Sequence, residues 1–133
     1  RIDGRADVDD LAEFFDIPSY RQDLAGSHNN LGLLLMERGQ RPEAEEHFKK
    51  GLAIQEKLAS EFPAVPEYFV RLSNSYTNFG HFVRDGGRPS DSLEWFAKAI
   101  GTLAPILEQE PRDVMARSVL RNSHWGRAMA HDR

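Results

Sequence analysis

One stretch decides the fold, and it occurs twice: residues 18–33 read PSYRQDLAGSHNNLGL, and residues 66–81 read PEYFVRLSNSYTNFGH. Six positions are identical in the two copies, always 48 residues apart: Pro18 and Pro66, Tyr20 and Tyr68, Leu24 and Leu72, Ser27 and Ser75, Asn30 and Asn78, and Gly32 and Gly80. A fixed period of roughly 20–50 residues is typical of repeats that stack into an elongated array. Because such arrays act through extended surfaces, the repetition favours binding over catalysis.

Apolar residues around both copies recur at steps of three and four, which is the spacing of a helix with one buried face. In residues 42–62 that face carries one polar residue, Gln55, among apolar and small ones. Gly39 suits the end of one helix and Pro42 the first turn of the next, and Pro89 takes the corresponding place in the second copy. The pattern predicts helices at 19–38, 42–61, 67–85, 89–108 and about 112–131.

These helices predict an all-α fold, an α-solenoid of stacked antiparallel helix pairs in a single array. Pro105 lies inside the fourth helix and is expected to kink it or fray its last turn. Residues 8–15 resemble the end of a repeat, so we expect partial units at both ends. The expected division is a remnant of a preceding repeat (1–17), two repeats (18–63 and 64–110) and the first helix of a degenerate repeat (111–133).

Composition narrows the class of protein. The 133 residues are 40% hydrophobic and 29% charged, which is typical of a folded helical protein, and the net charge of −4 disfavours nucleic acid as a partner. Cysteine is absent, which excludes disulfides and thiolate chemistry. There is no run of about 18 apolar residues and no signal peptide, so we expect no membrane insertion and a cytoplasmic location. Because the sequence starts at Arg1 without an initiator Met, we expect a fragment of a longer protein.

Seven positions of each copy resemble the tetratricopeptide-repeat family, which places a bulky residue, Leu and Gly on its first helix and Ala, an aromatic and a small residue on its second. The first copy supplies His28, Leu31, Gly32, Leu35, Ala44, Phe48 and Gly51, and the second supplies Tyr76, Phe79, Gly80, Val83, Ser92, Phe96 and Ala99. The small residues are expected where two helices cross closely. The family's usual period is about 34 residues, so the resemblance implies longer helices and connections in this chain.

The amino-acid sequences of the copies are also similar to tandem repeats that follow the kinase domain in large bacterial serine/threonine protein kinases. The segments that carry this similarity are SHNNLG (27–32), RPEAEEHF (41–48), EFPAVPEY (61–68) and the closing LRNSHWGRA (120–128). The resemblance implies a non-catalytic part of a larger bacterial signalling protein.

No residue pattern typical of catalysis is present. The five histidines lack partners at metal-binding spacing; His28 and His124 share a repeat position and are expected to pack, whereas His81 falls on the groove side. The stretch DGGR (85–88) lacks the strand, the spacing and the Lys of a phosphate-binding loop, and we interpret it as a turn. We therefore expect no enzyme activity, no cofactor and no metal site in this segment.

In tetratricopeptide arrays the first helices of successive repeats line a concave groove, so the resemblance implies a groove that binds a protein or peptide. The corresponding positions are Asn29, Asn30 and Leu33 in the first copy, Asn74, Thr77, Asn78, His81 and Arg84 in the second, and Asn122, Trp125 and Met129 in the third. An Asn side chain offers a peptide backbone both a donor and an acceptor. The positions where one subset of the family uses Lys or Arg to clamp a C-terminal carboxylate carry neither residue here, which argues against such a clamp.

Three alternatives to this interpretation remain. One is an enzyme accessory domain that binds a small molecule, against which the sequence shows no convergent set of polar residues. Asn30 and Asn78 are equally suited to tie adjacent helices together, and the whole array is suited to act as a structural spacer or oligomerisation module with no groove ligand. Because stacked repeats need polar caps, we expect the last helix to expose part of Val119, Trp125 or Met129. We expect this uncapped side to be used either in self-association or in a contact with the chain's own N-terminal segment.

Overall fold

The computed structural model describes residues 18–131, and within that range it contains five α-helices and no strand. The helices are α1 (Pro18–Glu37), α2 (Arg41–Glu61), α3 (Pro66–Asp85), α4 (Pro89–Gln109) and α5 (Val114–His131). The predicted all-α helical repeat is confirmed, and every helix boundary lies within two residues of its predicted place. The predicted remnant at 1–17 lies outside the described residues.

The turns from α1 to α2 and from α3 to α4 have the same geometry. Gly39 (φ 76°) and Gly87 (φ 86°) both adopt the left-handed conformation that residues with a side chain rarely enter. In the first turn the Gln40 amide donates to the Leu35 carbonyl at 2.9 Å, and the second turn repeats this bond at 3.2 Å. Since this pattern satisfies the last carbonyls of a helix, both helices end at equivalent positions.

Two outcomes were predicted at Pro105. Fraying of the last turn of helix α4 is wrong, because the helix continues past that residue to Gln109, and a kink stays a prediction. A proline removes the helical donor for the carbonyl four residues earlier, which belongs to Gly101. Both Gly101 and Pro105 are exposed, so water can satisfy that carbonyl. On the opposite side Leu103 and Ile106 are buried, and their packing holds the last turn in place.

Helix α5 begins at Val114, two residues later than predicted. Asp113 Oδ1 accepts a hydrogen bond from the Ala116 backbone amide at 2.9 Å. This is the bond of an N-cap, so Asp113 satisfies an amide at the start of the helix instead of joining it.

Within each pair the helices run antiparallel and cross where a glycine meets an aromatic ring. A Cβ built on Gly32 would lie 2.8 Å from Cε1 of Phe48, and one built on Gly80 would lie 2.7 Å from Cε1 of Phe96. Real Cβ atoms do not approach a neighbour so closely, so any larger residue would force the helices apart. The expectation that small residues mark the close crossings is confirmed at these positions.

Helix α3 is the centre of the described array, because it contacts each of the other four helices. The larger apolar cluster joins α2, α3 and α4 around Phe48, Phe79 and Phe82, with the rings of Phe48 and Phe82 5.2 Å apart. A smaller cluster joins α3, α4 and α5; its buried members are Val70, Leu103, Ile106, Ala116 and Val119.

Candidate functional site

The first helix of each unit (α1, α3 and α5) is linked to the next by a buried polar contact. Asn29 Nδ2 donates to Ser75 Oγ at 2.6 Å, and Thr77 Oγ1 lies 2.7 Å from Ser123 Oγ, with either hydroxyl able to donate. Asn29 and Thr77 are equivalent positions, so the same link recurs at each step. Both were predicted to line the groove, and the structure places both inside the seam between helices, where their side chains are buried.

Beside this seam, α1 and α3 enclose a pocket of about 290 Å³. Amide side chains dominate its wall, which consists of Gln22, Gly26, Asn29, Asn30 and Leu33 of α1, Gln55 of α2, Arg71, Asn74, Ser75 and Asn78 of α3, and Met115 of α5. The pocket therefore brings together five of the predicted groove residues: Asn29, Asn30, Leu33, Asn74 and Asn78.

The pocket is polar but carries little free charge. Arg71 is the charged residue of its wall, and its Nε donates to Glu67 Oε1 at 2.9 Å, one turn earlier on α3. Gln22 and Gln55 are at least nine-tenths buried, and the side-chain oxygen of each has no hydrogen-bond donor among residues 18–131. The site thus presents the amide groups of its asparagines at its rim, whereas the two unpaired glutamine oxygens are enclosed within the protein and are not accessible from the pocket.

Three other predicted residues form a second cluster, between α3 and α5. The ring of His81 lies 6.0 Å from that of Trp125 and packs edge-on against Phe96 at 5.2 Å. The Arg84 guanidinium lies 5.4 Å from the Trp125 ring, and its Nε donates to Asp85 Oδ1 at 3.1 Å. Burial and then the charge of Arg84 lower the pKa of His81, so its imidazole is neutral at physiological pH.

The last two predicted groove residues lie apart from both clusters. Asn122 is exposed and Met129 is half-buried, and neither lines the pocket between α1 and α3. On the same helix Trp125 is 56% exposed, as expected for its uncapped side, whereas Val119 is buried in the smaller apolar cluster.

Sequence reasoning missed Gln22, Gln55, Arg71, Ser75 and Met115 as parts of the pocket. Gln55 carried a usable signal, because it is the polar residue that interrupts an otherwise apolar helix face. Gln22 lies about two turns before the predicted Asn29 and Arg71 about one turn before the predicted Asn74, and nothing in the sequence distinguishes them from solvated residues. Met115 enters from the degenerate third unit, whose position depends on packing between non-adjacent helices.

The outer face of α1 differs from the groove. It carries partly exposed apolar side chains, namely Tyr20, Leu24, Leu31 and Leu34. Near them, Nδ1 of His28 lies 3.0 Å from Nδ1 of His47, and burial followed by the charges of His47 and Lys50 lowers the pKa of His28. His28 therefore packs as expected, whereas the expectation for His124 is wrong, since it is exposed and lies 2.9 Å from Arg127 Nη2.

Two kinds of feature are absent from residues 18–131. In that part of the chain no group of three or more His, Asp or Glu side chains is arranged to hold a metal ion. None of its helices combines the length and the apolar composition needed to cross a membrane.

Comparison with known proteins gives one match. Residues 24–63, which span most of α1 and all of α2, match the family model described as Tetratricopeptide repeat. This confirms the resemblance over that stretch and supports a tetratricopeptide repeat there. Comparisons with curated proteins and with solved structures found no match.

Proposed function

We propose that the chain is a protein-interaction scaffold that binds an extended peptide segment of its partner in the groove between α1 and α3. The observation that carries the proposal is the pocket of about 290 Å³, around which the side chains of Asn30, Asn74 and Asn78 gather from two helices. Tetratricopeptide repeats generally mediate contacts between proteins, which agrees with a binding role.

The chemistry of the pocket suits a peptide backbone. Each of the three asparagines offers an N–H donor pair and a carbonyl acceptor, which match the acceptor and donor of a peptide group. Asn74 and Asn78 lie one helical turn apart, so they face the same side of α3 while Asn30 faces them from α1. Leu33 adds an apolar contact at the wall for a side chain of the bound segment.

Selection from a random peptide display library tests this proposal. Peptides enriched on the wild-type chain should lose at least about tenfold in affinity when Asn30, Asn74 and Asn78 are all replaced by Ala, since each lost hydrogen bond contributes about 0.5–1.5 kcal/mol. Asn122→Ala is the matched control, because Asn122 is an exposed asparagine outside the pocket. Failure to enrich any peptide, or equal binding by the triple variant with its helical circular dichroism intact, would reject a groove ligand.

A structural spacer or oligomerisation module is the second candidate function. The observation that favours it is the row of partly exposed apolar residues on the outer face of α1, since an apolar patch of this kind often marks a contact between proteins. Sedimentation over a wide concentration range distinguishes the two functions. A spacer that self-associates shifts to dimer with increasing concentration, and Leu31→Asp abolishes that shift without affecting peptide binding.

We also propose that the chain is a non-catalytic, cytoplasmic part of a larger bacterial signalling protein with a serine/threonine kinase domain. The support for a kinase-containing parent protein is the sequence similarity of the repeats, in segments such as 27–32 and 41–48. The full-length coding sequence tests it directly. Kinase motifs of the HRD and DFG type upstream of Arg1 would support the context, and their absence would reject it.

A further inference from the structure

A second pocket, of about 590 Å³, lies where the connection from α2 to α3 meets the last turns of α4. Pro63 and Phe69 lie on one side of it, and Gly101, Pro105 and Ile106 of α4 lie on the other. It shares no residue with the pocket between α1 and α3. None of its lining residues, all of which belong to the described part of the chain, carries a charge.

The equivalent place in the first helix pair is charged. At a spacing of 48 residues, Phe69 corresponds to Arg21 and Gln109, another lining residue, corresponds to Glu61. Arg21 Nη1 donates to Glu61 Oε2 at 2.6 Å, so an ion pair joins α1 to α2 there. The second pair has a half-buried ring and a neutral amide in place of this ion pair. Its pocket therefore suits a neutral and largely apolar group.

Two residues weaken helix α4 where it lines the pocket. Gly101 and Pro105 are of the two residue types that destabilise helix interiors most. The equivalent residues of the first pair are Ala53 and Lys57, which are good helix formers. Packing does not require the glycine, since a Cβ built on Gly101 meets nothing within 4 Å.

The proline leaves a backbone acceptor at the pocket's wall. Pro105 has no N–H, so the Gly101 carbonyl lacks its helical donor. A helical carbonyl points along the axis toward the residue four positions later. Gly101 and Pro105 both line the pocket and both are exposed, so this oxygen lies at the pocket's surface, where water can reach it.

We propose that this pocket is a second docking site, which binds the indole of a tryptophan side chain of a partner protein. The indole ring packs against Phe69 and the proline rings, and its N–H donates to the Gly101 carbonyl in place of water. The floor is held by the core, because Ile106 is buried and Phe69 packs against both apolar clusters. This site goes beyond the groove proposed above and selects one type of side chain.

Other side chains fit the pocket less well. A Leu or Phe side chain would displace water from the carbonyl without replacing its hydrogen bond. A charged side chain would find no opposite charge among the lining residues. A Tyr hydroxyl accepts as well as donates, and Thr102 in the wall does not supply the donor, because its hydroxyl donates to the Lys98 carbonyl at 2.7 Å. An indole N–H only donates, so it matches a lone acceptor.

A binding measurement on the full chain tests the inference. The probes are capped hexapeptides of Ala and Ser that carry Trp, 1-methyl-Trp, Tyr, Phe or Leu at one central position, titrated by NMR. The Trp peptide is expected to bind at least about tenfold more tightly than the others and to shift the backbone amide signals of Phe69, Gly101 and Thr102. Because 1-methyl-Trp keeps the ring and lacks the N–H, equal affinity for these two peptides would overturn the inference.

Two variants test the roles of the carbonyl and of the open space. Pro105→Ala restores the N–H that pairs with the Gly101 carbonyl, so the preference for Trp over 1-methyl-Trp should fall below about threefold. Gly101→Leu fills the pocket and should abolish binding of the Trp peptide. Ala53→Leu is the matched control, because Ala53 is the equivalent exposed residue of α2, and it should bind like the wild type. An unchanged preference in the first variant, or retained binding in the second, would contradict the proposed site.

The triple Ala variant of Asn30, Asn74 and Asn78 separates this site from the groove. It should bind the Trp peptide like the wild type, because the two pockets share no residue. Loss of Trp binding in that variant would move the tryptophan to the groove and would overturn the second site while supporting the proposed function. A wild-type chain that binds displayed peptides in the groove but not the Trp hexapeptide would reject the second site alone.

Discussion

Helices α1 and α3 share six identical residues at a spacing of 48 positions, yet the two helices have different surroundings. Leu24 and Leu72 are equivalent residues, but Leu24 is 37% exposed and Leu72 only 5%. Further along, Leu34 of α1 is 45% exposed, whereas its counterpart Phe82 is 3% exposed. The difference arises because α2 packs on that face of α3, whereas no helix in residues 18–131 packs on the equivalent face of α1.

Equivalent residues of a repeated sequence therefore need not contribute equally to the free energy of unfolding. The two pairs share their turn glycines and their glycine–aromatic crossings, so each pair is built alike internally. The two pairs differ in the neighbouring helices that pack against them. The second pair, with α3 at the centre, holds most of the apolar core, the polar pocket lies between the two pairs, and the exposed outer face belongs to the first pair.

The largest effect should come from the same substitution at the two equivalent leucines. Leu72→Ala is expected to lower the free energy of unfolding by about 2–5 kcal/mol, because it opens a cavity in the main core. Leu24→Ala serves as the matched comparison and should cost less than about 1 kcal/mol, since its side chain is already partly in water. Urea denaturation of both variants measures the difference. Equal losses would mean that the outer face of α1 is packed in solution and would break the comparison.

Substitution of the glycine at the helix crossing should lower the stability of the protein by a similar amount in the two pairs. Gly32→Ala and Gly80→Ala each place a methyl group within 3 Å of a phenylalanine ring, and overpacking of this kind costs about 1–3 kcal/mol. Thermal denaturation of the two variants should therefore give similar losses. A Gly32 variant with wild-type stability would show that the first pair is loosely packed internally as well, which would extend the difference to the inside of the pair.

The hydrogen bonds in the two seams between first helices should contribute similar amounts to the free energy of unfolding, and less than the core residues do. Ser75→Ala removes the acceptor of Asn29 Nδ2, and Ser123→Ala removes the partner of Thr77. Each is expected to lower the free energy of unfolding by about 1 kcal/mol, the usual net contribution of a hydrogen bond. A double-mutant cycle with Asn29→Ala should show coupling to Ser75→Ala and none to Ser123→Ala. Additivity in the first case would argue that the bond to Ser75 does not form in solution.

The smallest effect should be a pH dependence located in the first pair. His28 has a folded-state pKa below its ordinary value of 6.5, so the folded protein disfavours the charged form. Its contribution to stability is complete above pH 6.5 and declines as the pH falls through and below that value, because the unfolded chain then binds more protons. At the equivalent position of the second pair stands Tyr76, where burial and the hydrogen bond to Glu56 raise the pKa, so no titration near neutral pH is expected there.

Melting curves between about pH 8 and pH 5 measure this dependence. The decrease in Tm on acidification should be smaller in His28→Gln than in the wild type. His124 is exposed, so His124→Gln supplies the control for replacing a histidine with glutamine. An identical slope in His28→Gln would assign the pH dependence to another group.

The helices and their ends could be predicted from the sequence because their causes are local. Gly39 and Pro42 mark a turn through backbone geometry that neighbours do not alter, and the apolar period marks the buried faces. The cap at Asp113 and the continuous helix through Pro105 depended on which groups water or packing satisfies, so they were mispredicted. These errors stayed within two residues at a helix boundary.

The site was less predictable, because a groove depends on how helices from different units meet. Asn30, Asn74 and Asn78 were predicted and do gather around one pocket. Thr77 was predicted for the same surface, but its side chain is buried in the seam, where its hydroxyl lies 2.7 Å from that of Ser123. Gln22 lies on α1 and Gln55 on α2, and only the packing of these helices shows that both reach the pocket.

The measurement that tests the central claim most directly is an NMR footprint of a display-selected peptide on the wild-type chain. A ligand of the groove between α1 and α3 should shift the side-chain amide signals of Asn30, Asn74 and Asn78 and leave that of Asn122 in place. Shifts confined to the outer face of α1, around Leu24 and Leu31, would contradict the account and would assign binding to the exposed apolar surface.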